Sequence, residues 1–301
     1  MSSISQRGEL SAFQRFWQSK KNQRRVTLTV KYIVAALVLT FSLFPIVWTI
    51  SAAFNPSGGL STQQLIPAGA NLNNFREILV ERPFWRWVWN STRIALISSV
   101  LSAAITTLTA FSFSRFRFRG RSQMLLGILL IQVFPALLAM VALFAILQQI
   151  GSYIPWLGLN SHGGLILIYL GGAMGINIWL MKGFFDTVPR AIDESAMVDG
   201  ATHWQIFWYL VLPLVRPIIV VVAILTFFGT YSDWLMPRIM IQNTELYTLM
   251  LGLQTFIGDN YAQRWGTFAA GAVLGSIPMV TVYLILQDQI VGGLTSGSVK
   301  G

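Results

Sequence analysis

The sequence contains no cysteine and only two histidines, and few of its residues are charged. Without cysteine the chain can form neither a disulfide nor an iron–sulfur or thiolate zinc site. The histidines, His162 and His203, stand far apart in the sequence and do not suggest a shared metal site. None of the lysines follows a glycine, which excludes the phosphate-binding P-loop of nucleotide hydrolases. We therefore expect no cofactor, no metal and no catalytic activity in this chain.

Polar side chains are scarce. Hydrophobic residues make up 54% of the 301 residues and charged residues 11%, whereas soluble domains carry about 25% charged residues. Mean hydropathy is +0.61. This composition predicts an integral membrane protein, because too few polar groups remain to cover a soluble globule. The net charge of +10 favours either nucleic acid or the anionic inner face of a membrane as a neighbour.

Long uncharged runs predict six transmembrane helices in an all-α membrane protein. A helix that crosses the bilayer needs about 20 apolar residues, because the hydrocarbon core is ~30 Å thick. The uncharged run at 122–181 is long enough for two spans, and residues 151–164, rich in glycine, divide it. The predicted spans lie at 32–54, between Arg93 and Arg115 with a start shortly before Arg93, in the two halves of 122–181, from Arg216 to near Pro237, and between Arg264 and Asp288.

Lysine and arginine are unevenly divided between the two sides of this predicted membrane domain. With the N-terminus inside, 15 of the 21 basic residues fall in cytoplasmic segments and 6 in external ones. The positive-inside rule therefore predicts a multi-pass protein of the cell membrane with both termini in the cytoplasm. We expect a cytoplasmic arm at 1–31, a six-span domain at 32–291 and a cytoplasmic tail at 292–301. The first apolar stretch, about 20 residues, is longer than the core of a secretory signal, so we expect no cleavage.

The alternating segment Arg115-Phe116-Arg117-Phe118-Arg119 allows two interpretations. Basic residues interleaved with aromatic ones are typical of nucleic-acid binding. A short cytoplasmic turn held by anionic lipid would have the same composition. Because the segment directly joins two predicted spans, we interpret it as such a turn and expect no nucleic-acid partner.

The longest cytoplasmic segment, 186–216, predicts two short helices joined by a turn. Pro189 fits the first turn of the first helix. Gly200 can adopt the left-handed conformation that ends it. Thr202 and Gln205 match a capping box, which would start the second helix.

The second helix would present one apolar face, formed by Ile206, Phe207, Leu210 and Val211. Pro213 is expected to limit or kink this helix. An apolar face with a few acidic groups nearby is suited to a groove on another protein. We therefore expect the loop to dock onto a cytoplasmic partner.

Residues of this loop resemble the EAA loop of binding-protein-dependent ABC importer permeases. The family pattern is Glu-Ala-Ala, then three variable positions of which the last, directly before Gly, is Asp, and then Leu-Pro about a dozen residues later. The matching residues here are Glu194, Ser195, Ala196, Asp199, Gly200, Ala201, Leu212 and Pro213. Serine at 195 departs from the pattern but is small enough for the same close packing. The resemblance implies a type I permease whose loop is the coupling helix, seated in a cleft of a separate ATPase.

Further stretches narrow the resemblance to maltose/maltodextrin-type permeases. They are Val133-Phe134-Pro135-Ala136, Gly158 to Gly164 and Gly292 to Gly301, and only residues 1–30 resemble that group little. The resemblance implies import of maltose, maltodextrin or a similar oligosaccharide. It also implies a second, different permease, an ATPase homodimer and an external sugar-binding protein as partners. Another sugar such as trehalose stays open, as do an ion-driven secondary transporter and a membrane-anchored scaffold.

The resemblance gives roles to two further segments. The external loop, 237–266, would reach the binding protein through Phe256, Asp259, Asn260 and Tyr261. From the residues alone, the alternative is an aromatic belt at the membrane interface formed by Phe256, Tyr261 and Trp265. The tail at 292–301 would reach between the ATPase subunits, whereas its glycine and serine content alone indicates a flexible end.

Two polar residues within predicted spans, Gln132 and Asp233, are candidates for lining a translocation path. Polar groups inside the membrane are usually functional or paired. The alternative for Asp233 is an interfacial position paired with Arg238. Because the resemblance assigns the membrane sugar site mainly to the partner permease, we predict no sugar site in this chain.

Overall fold

The computed structural model describes residues 20–56, 59, 64–258 and 263–295, and these residues form helices joined by short connections. The helices are α1 Lys20–Phe54, α2 Asn73–Arg76, α3 Phe84–Arg115, α4 Arg121–Val133, α5 Ala136–Tyr153, α6 His162–Thr187, α7 Arg190–Val198, α8 His203–Ser232, α9 Leu235–Met240, α10 Leu249–Gln254, α11 Trp265–Gly275 and α12 Ile277–Thr295. A π-helical turn, Glu77–Glu81, follows α2, and a second, Ile206–Val211, lies inside α8.

Five of these units are long and apolar enough to cross a membrane: α1, α3, α6, α8 and α11 with α12. The pair α4 and α5 passes the same test only when its two helices are taken together. The predicted number of six therefore agrees with the structure when this pair counts as one span. All six lie where the uncharged runs of the sequence placed them, although α3 begins at Phe84, well before Arg93.

The third predicted span is sharply bent. The axes of α4 and α5 meet at an angle of 104°. Pro135 causes the break, because it has no backbone N–H and disfavours the helical conformation in the residue before it. Phe134 accordingly has the extended ψ angle of 128°.

The first helix stands apart from the remaining bundle along most of its length. It begins at Lys20, so residues 20–31 of the expected arm continue the first span as one helix. Every side chain at 27–47 is exposed, and burial begins only near the C-terminal end of the helix, at Ser51, Ala52 and Ala53. There the side-chain amide of Asn74 donates to the carbonyls of Ala53 and Asn55, both at 3.0 Å.

Helices α3, α6 and α8 pack together as the centre of the bundle. The buried side of α3 consists largely of alanine, serine and threonine, and such small residues let membrane helices approach closely. Asn177 of α6 joins the three helices: its amide donates to Thr226 Oγ1 of α8 at 3.1 Å and to Ser102 Oγ of α3 at 3.4 Å.

Candidate functional site

The loop at 186–216 forms the predicted helix–turn–helix. Helix α7 follows Pro189 and ends at a left-handed glycine, since Gly200 has a φ angle of +84°. The amide of Gly200 donates to Met197 O at 3.1 Å and that of Ala201 to Ala196 O at 2.9 Å. This pair of bonds is the Schellman arrangement, which satisfies the last carbonyls of a helix.

The capping box that starts α8 is also present. Thr202 Oγ1 accepts from the amide of Gln205 at 3.3 Å, and the side chain of Gln205 accepts from the amide of Thr202 at 2.8 Å. Each side chain thus satisfies an amide that the helix start would leave unpaired. The predictions for both ends of the turn are confirmed.

The expectation that Pro213 limits the second helix is wrong. Helix α8 continues through this proline to Ser232. A proline inside a helix clashes with the carbonyl four residues earlier, which here belongs to Tyr209. The π-helical turn Ile206–Val211 lies directly before the proline and widens the helix where that clash would occur.

The apolar face of the second helix packs inward and does not present itself to a partner, so its predicted docking role is corrected. Ile206, Phe207 and Val211 are buried, and Leu210 is half-buried. The ring centroid of Phe207 lies 4.9 Å from that of Phe111 on α3. This face therefore attaches the loop to the bundle, because its apolar area is already removed from water.

The surface left for a partner is the outer side of α7 and its turn. Glu194, Ser195, Asp199 and Gly200 are exposed. So are two apolar side chains of α7 that the sequence had not singled out, Met197 and Val198. Of the other family-matching residues, Ala196, Ala201 and Leu212 are partly buried against the same apolar cluster, and Pro213 is exposed.

A buried ion pair under α7 was not predicted. The Nε atom of Arg115, at the end of α3, lies 2.6 Å from Oδ2 of Asp193, and their side chains are only 7% and 11% exposed. Burial raises the pKa of the Asp193 carboxyl, and the Arg115 guanidinium opposes that rise. The sequence had suggested only that Arg115 belongs to a short turn held by anionic lipid. A signal was available, because Asp193 lies three residues before Ala196 and so on the same face of α7, and Ala196 packs inward.

The guanidinium of Arg115 also joins the end of α6 to this pair. Nη1 donates to Phe185 O and Nη2 to Val188 O, both at 3.1 Å. Next to it, Arg190 donates to the carbonyl of Ser114 at 2.9 Å. The C-terminal ends of α3 and α6 and the start of α7 therefore share one polar junction.

At the end of the bundle opposite α7, near the start of α3, Phe256 occupies a buried position under the loop at 237–266. It is 3% exposed, and the guanidinium carbons of Arg82 and Arg264 lie 5.3 and 5.9 Å from its ring centroid. The amide of Arg264 donates to Phe256 O at 2.8 Å, which closes the loop between them. We therefore revise Phe256 from a contact residue to a residue that packs beneath the loop. The other predicted contacts, Asp259, Asn260 and Tyr261, lie outside the described residues.

Gln132 and Asp233 lie in separate surroundings. Gln132 is exposed at the end of α4, in the lining of an otherwise apolar cavity of about 750 Å³. Its amide approaches Gly175 of α6 so closely that a Cβ there would lie 1.8 Å from Nε2.

Asp233 follows the end of α8 and is half-buried. Its Oδ2 accepts from the Tyr169 hydroxyl at 2.9 Å, and its Oδ1 from the amide of Leu235 at 3.0 Å. These bonds, and not an ion pair with Arg238, account for both oxygens, so the alternative pairing is corrected. The bond from Leu235 is an Asx turn, in which an aspartate accepts from the amide two residues later, directly before α9.

Known proteins match the chain over most of its length. The family model described as "Binding-protein-dependent transport system inner membrane component" matches residues 102–295. The maltose/maltodextrin transport system permease protein MalG of Vibrio vulnificus (strain YJ016) is 39% identical over 298 residues, covering 94% of this chain and 99% of the relative.

Two solved structures share the fold. One is a bacterial ABC transporter involved in the import of the acidic polysaccharide alginate, with a TM-score of 0.71 and 22% identity over 90% of this chain and 98% of that chain. The other is a bacterial alginate ABC transporter in complex with an alginate pentasaccharide-bound periplasmic protein, with a TM-score of 0.64 and 16% identity over 88% of this chain and 94% of that chain. The chain therefore belongs to the family of inner membrane components of binding-protein-dependent transport systems, as a multi-pass permease subunit of an ABC sugar importer whose ATP is hydrolysed by a separate subunit.

Proposed function

We propose that this subunit imports maltose, maltodextrin or a similar oligosaccharide that an external binding protein delivers. The observation that carries the proposal is the 39% identity to a maltose/maltodextrin permease over 94% of the chain. In the proposed assembly it pairs with a second, different permease and an ATPase homodimer, and both of its termini are cytoplasmic. The arm at 1–31 and the tail at 292–301 then face the ATPase, and the loop at 237–266 faces the binding protein.

We infer that α7 is the element that couples ATP hydrolysis to transport. Its exposed side offers the Glu194 carboxylate and the apolar side chains of Met197 and Val198, which suits a groove with a basic group. On its inner side, the partly buried Ile192 and Ala196 pack against buried apolar side chains of α3, α6 and α8. Closure of the ATPase dimer would move α7, and this packing would pass the movement to the spans, because close-packed interiors transmit displacement.

Uptake of radiolabelled maltose tests the proposal. Deletion of the subunit from its host should abolish uptake that depends on the binding protein, and the wild-type chain should restore it. Glu194→Lys should insert into the membrane but fail to restore uptake, since losing one partner of a partly desolvated charge pair costs ~2–5 kcal/mol. Ser195→Ala, which recreates the family pattern, is the matched control and should restore uptake fully.

Three results would contradict parts of this assignment. If the deletion strain still imported maltose but no longer imported trehalose, trehalose would replace maltose as the proposed substrate. Uptake that survives ATP depletion but stops with an uncoupler would indicate an ion-driven carrier. Full uptake and normal ATPase retention in Glu194→Lys would remove α7 from the coupling role.

A further inference from the structure

We propose that Arg115 and Asp193 form a positioning pair that fixes the direction of α7 relative to the bundle and so makes the coupling stroke efficient. The proposal rests on the coupling role of α7. It adds two residues outside the matched EAA positions.

The first argument is the position of the guanidinium where three helices meet. Arg115 is the last residue of α3. It donates to Phe185 O near the end of α6 and to Val188 O just beyond it, and it reaches Asp193 in the first turn of α7. Carbonyls at a helix end have no partner within the helix, so a fixed donor there holds the end in place. One planar group thus determines the relative position of three helix ends.

The second argument is energetic. A buried ion pair pays a desolvation cost that can exceed its Coulombic gain, and apolar residues of similar volume are often equally stabilising. Net stability therefore does not explain why a charged pair occupies this position. Directional contacts do explain it, because apolar burial has no preferred direction and permits sliding. The two hydrogen bonds from the Arg115 guanidinium to backbone carbonyls have a defined geometry, and the Asp193 carboxylate is held to the guanidinium by charge.

The third argument is that apolar packing under α7 is incomplete. A cavity of about 100 Å³ lies between α7, the end of α3 and the start of α8, and Arg115, Asp193 and His203 line it. Asp193 Oδ1 is buried and, within the described part of the chain, accepts no hydrogen bond. The cavity leaves room for α7 to shift, and the ion pair spans this gap.

A double variant, Arg115→Met with Asp193→Leu, tests the pair without leaving a buried charge. The full transporter would be reconstituted in proteoliposomes with its partner subunits and binding protein, with maltose as the probe. We expect the variant to assemble. The number of ATP molecules hydrolysed per maltose imported should rise about tenfold, which is the size of a typical coupling between two sites. Arg117→Met removes an exposed arginine from the same turn and should leave the ratio at the wild-type value.

A distance measurement tests the positioning separately from transport. Because the chain has no cysteine, spin labels can be placed by Arg119→Cys and Val198→Cys alone. Both positions are exposed, one in the turn after α3 and one at the end of α7. We expect a distance distribution about twice as broad in the double variant as in the wild type. The apolar side chains of the variant make no directional contact that would hold α7 in one orientation.

Wild-type width together with a wild-type ATP-to-maltose ratio in the double variant would overturn the positioning role. If the wild-type transporter does not respond to maltose, the proposed substrate fails, and the spin-label widths still decide the role of the pair. If the double variant is not recovered, Arg115→Lys replaces it. This variant keeps the charge but lacks the fork that reaches three acceptors, so it should also broaden the distribution.

Discussion

In the proposed assembly, the molecule has an inner end that couples to the ATPase and an outer end that receives the sugar, and each end contains an arginine–carboxylate pair. The two pairs differ in burial. At the inner end, Arg115 and Asp193 are 7% and 11% exposed. At the outer end, Arg264 and Glu77 are 50% and 18% exposed. Both pairs join segments distant in the sequence, but only the inner one excludes water almost completely. The same chemical pair should therefore be costly to disrupt at the coupling end and inexpensive at the receiving end.

The difference matches what each end contacts. The guanidinium of Arg115 at the inner end also donates to the backbone carbonyls of Phe185 and Val188, which do not move unless the helices move. The outer carboxylate accepts from the Thr267 hydroxyl at 2.7 Å, and its arginine partner lies beside the ring of Phe256. Side-chain contacts of this kind can rearrange when a partner docks. The inner junction is suited to transmitting force and the outer one to adjustment.

The largest effect is expected from Asp193→Ala, which leaves a buried guanidinium without its counter-charge. Breaking one side of a buried pair costs about 3–5 kcal/mol, mostly from the stranded charge. The subunit should show a clearly lowered melting temperature in detergent, measured by tryptophan fluorescence. Pairing the change with Arg115→Met should recover much of the loss, because the stranded charge is then gone. A melting temperature equal to that of the wild type would contradict the buried pair.

An intermediate effect is expected from Gly200→Ala. A side chain in the left-handed conformation costs roughly 1–2 kcal/mol, and Gly200 has a φ angle of +84°. Gly69 at the outer end has a φ angle of +73° and provides the matched control. Both changes meet the same local strain, but only Gly200→Ala should reduce the ATPase retained during purification. Equal retention in the two variants would show that the turn after α7 does not contribute to docking.

The smallest effect is expected from Glu77→Gln. The pair with Arg264 is half-exposed, and exposed ion pairs contribute about 0–1 kcal/mol. Melting should change little, and the apparent affinity for the binding protein, measured from stimulated ATP hydrolysis, should fall by about threefold at most. Asp193→Asn, measured in parallel, is the corresponding change in the Arg115–Asp193 pair at the inner end. If Glu77→Gln destabilised the subunit as much as Asp193→Asn does, the distinction between the two ends would be lost.

Local chemistry was sufficient to predict many features of the fold from the sequence. The six spans follow from uncharged runs, since about 20 apolar residues are required to cross the bilayer. The turn after α7 follows from Gly200, and the start of α8 from Thr202 and Gln205, whose partners lie within a few residues. Such contacts depend on short spacings, so the sequence displays them directly.

Contacts between distant residues were decided only by the tertiary structure. Arg115 and Asp193 are separated by two complete spans and the segments that connect them, and nothing in their spacing indicates that they meet. The family resemblance implied that Phe256 contacts the binding protein. Packing against Trp87 and two arginines buries it instead. Which side of a helix is covered depends on how the helices are arranged around it. The sequence by itself determined where the chain crosses the membrane and turns, whereas only the packed bundle decided which charges became buried, because burial is a property of the neighbours that folding supplies.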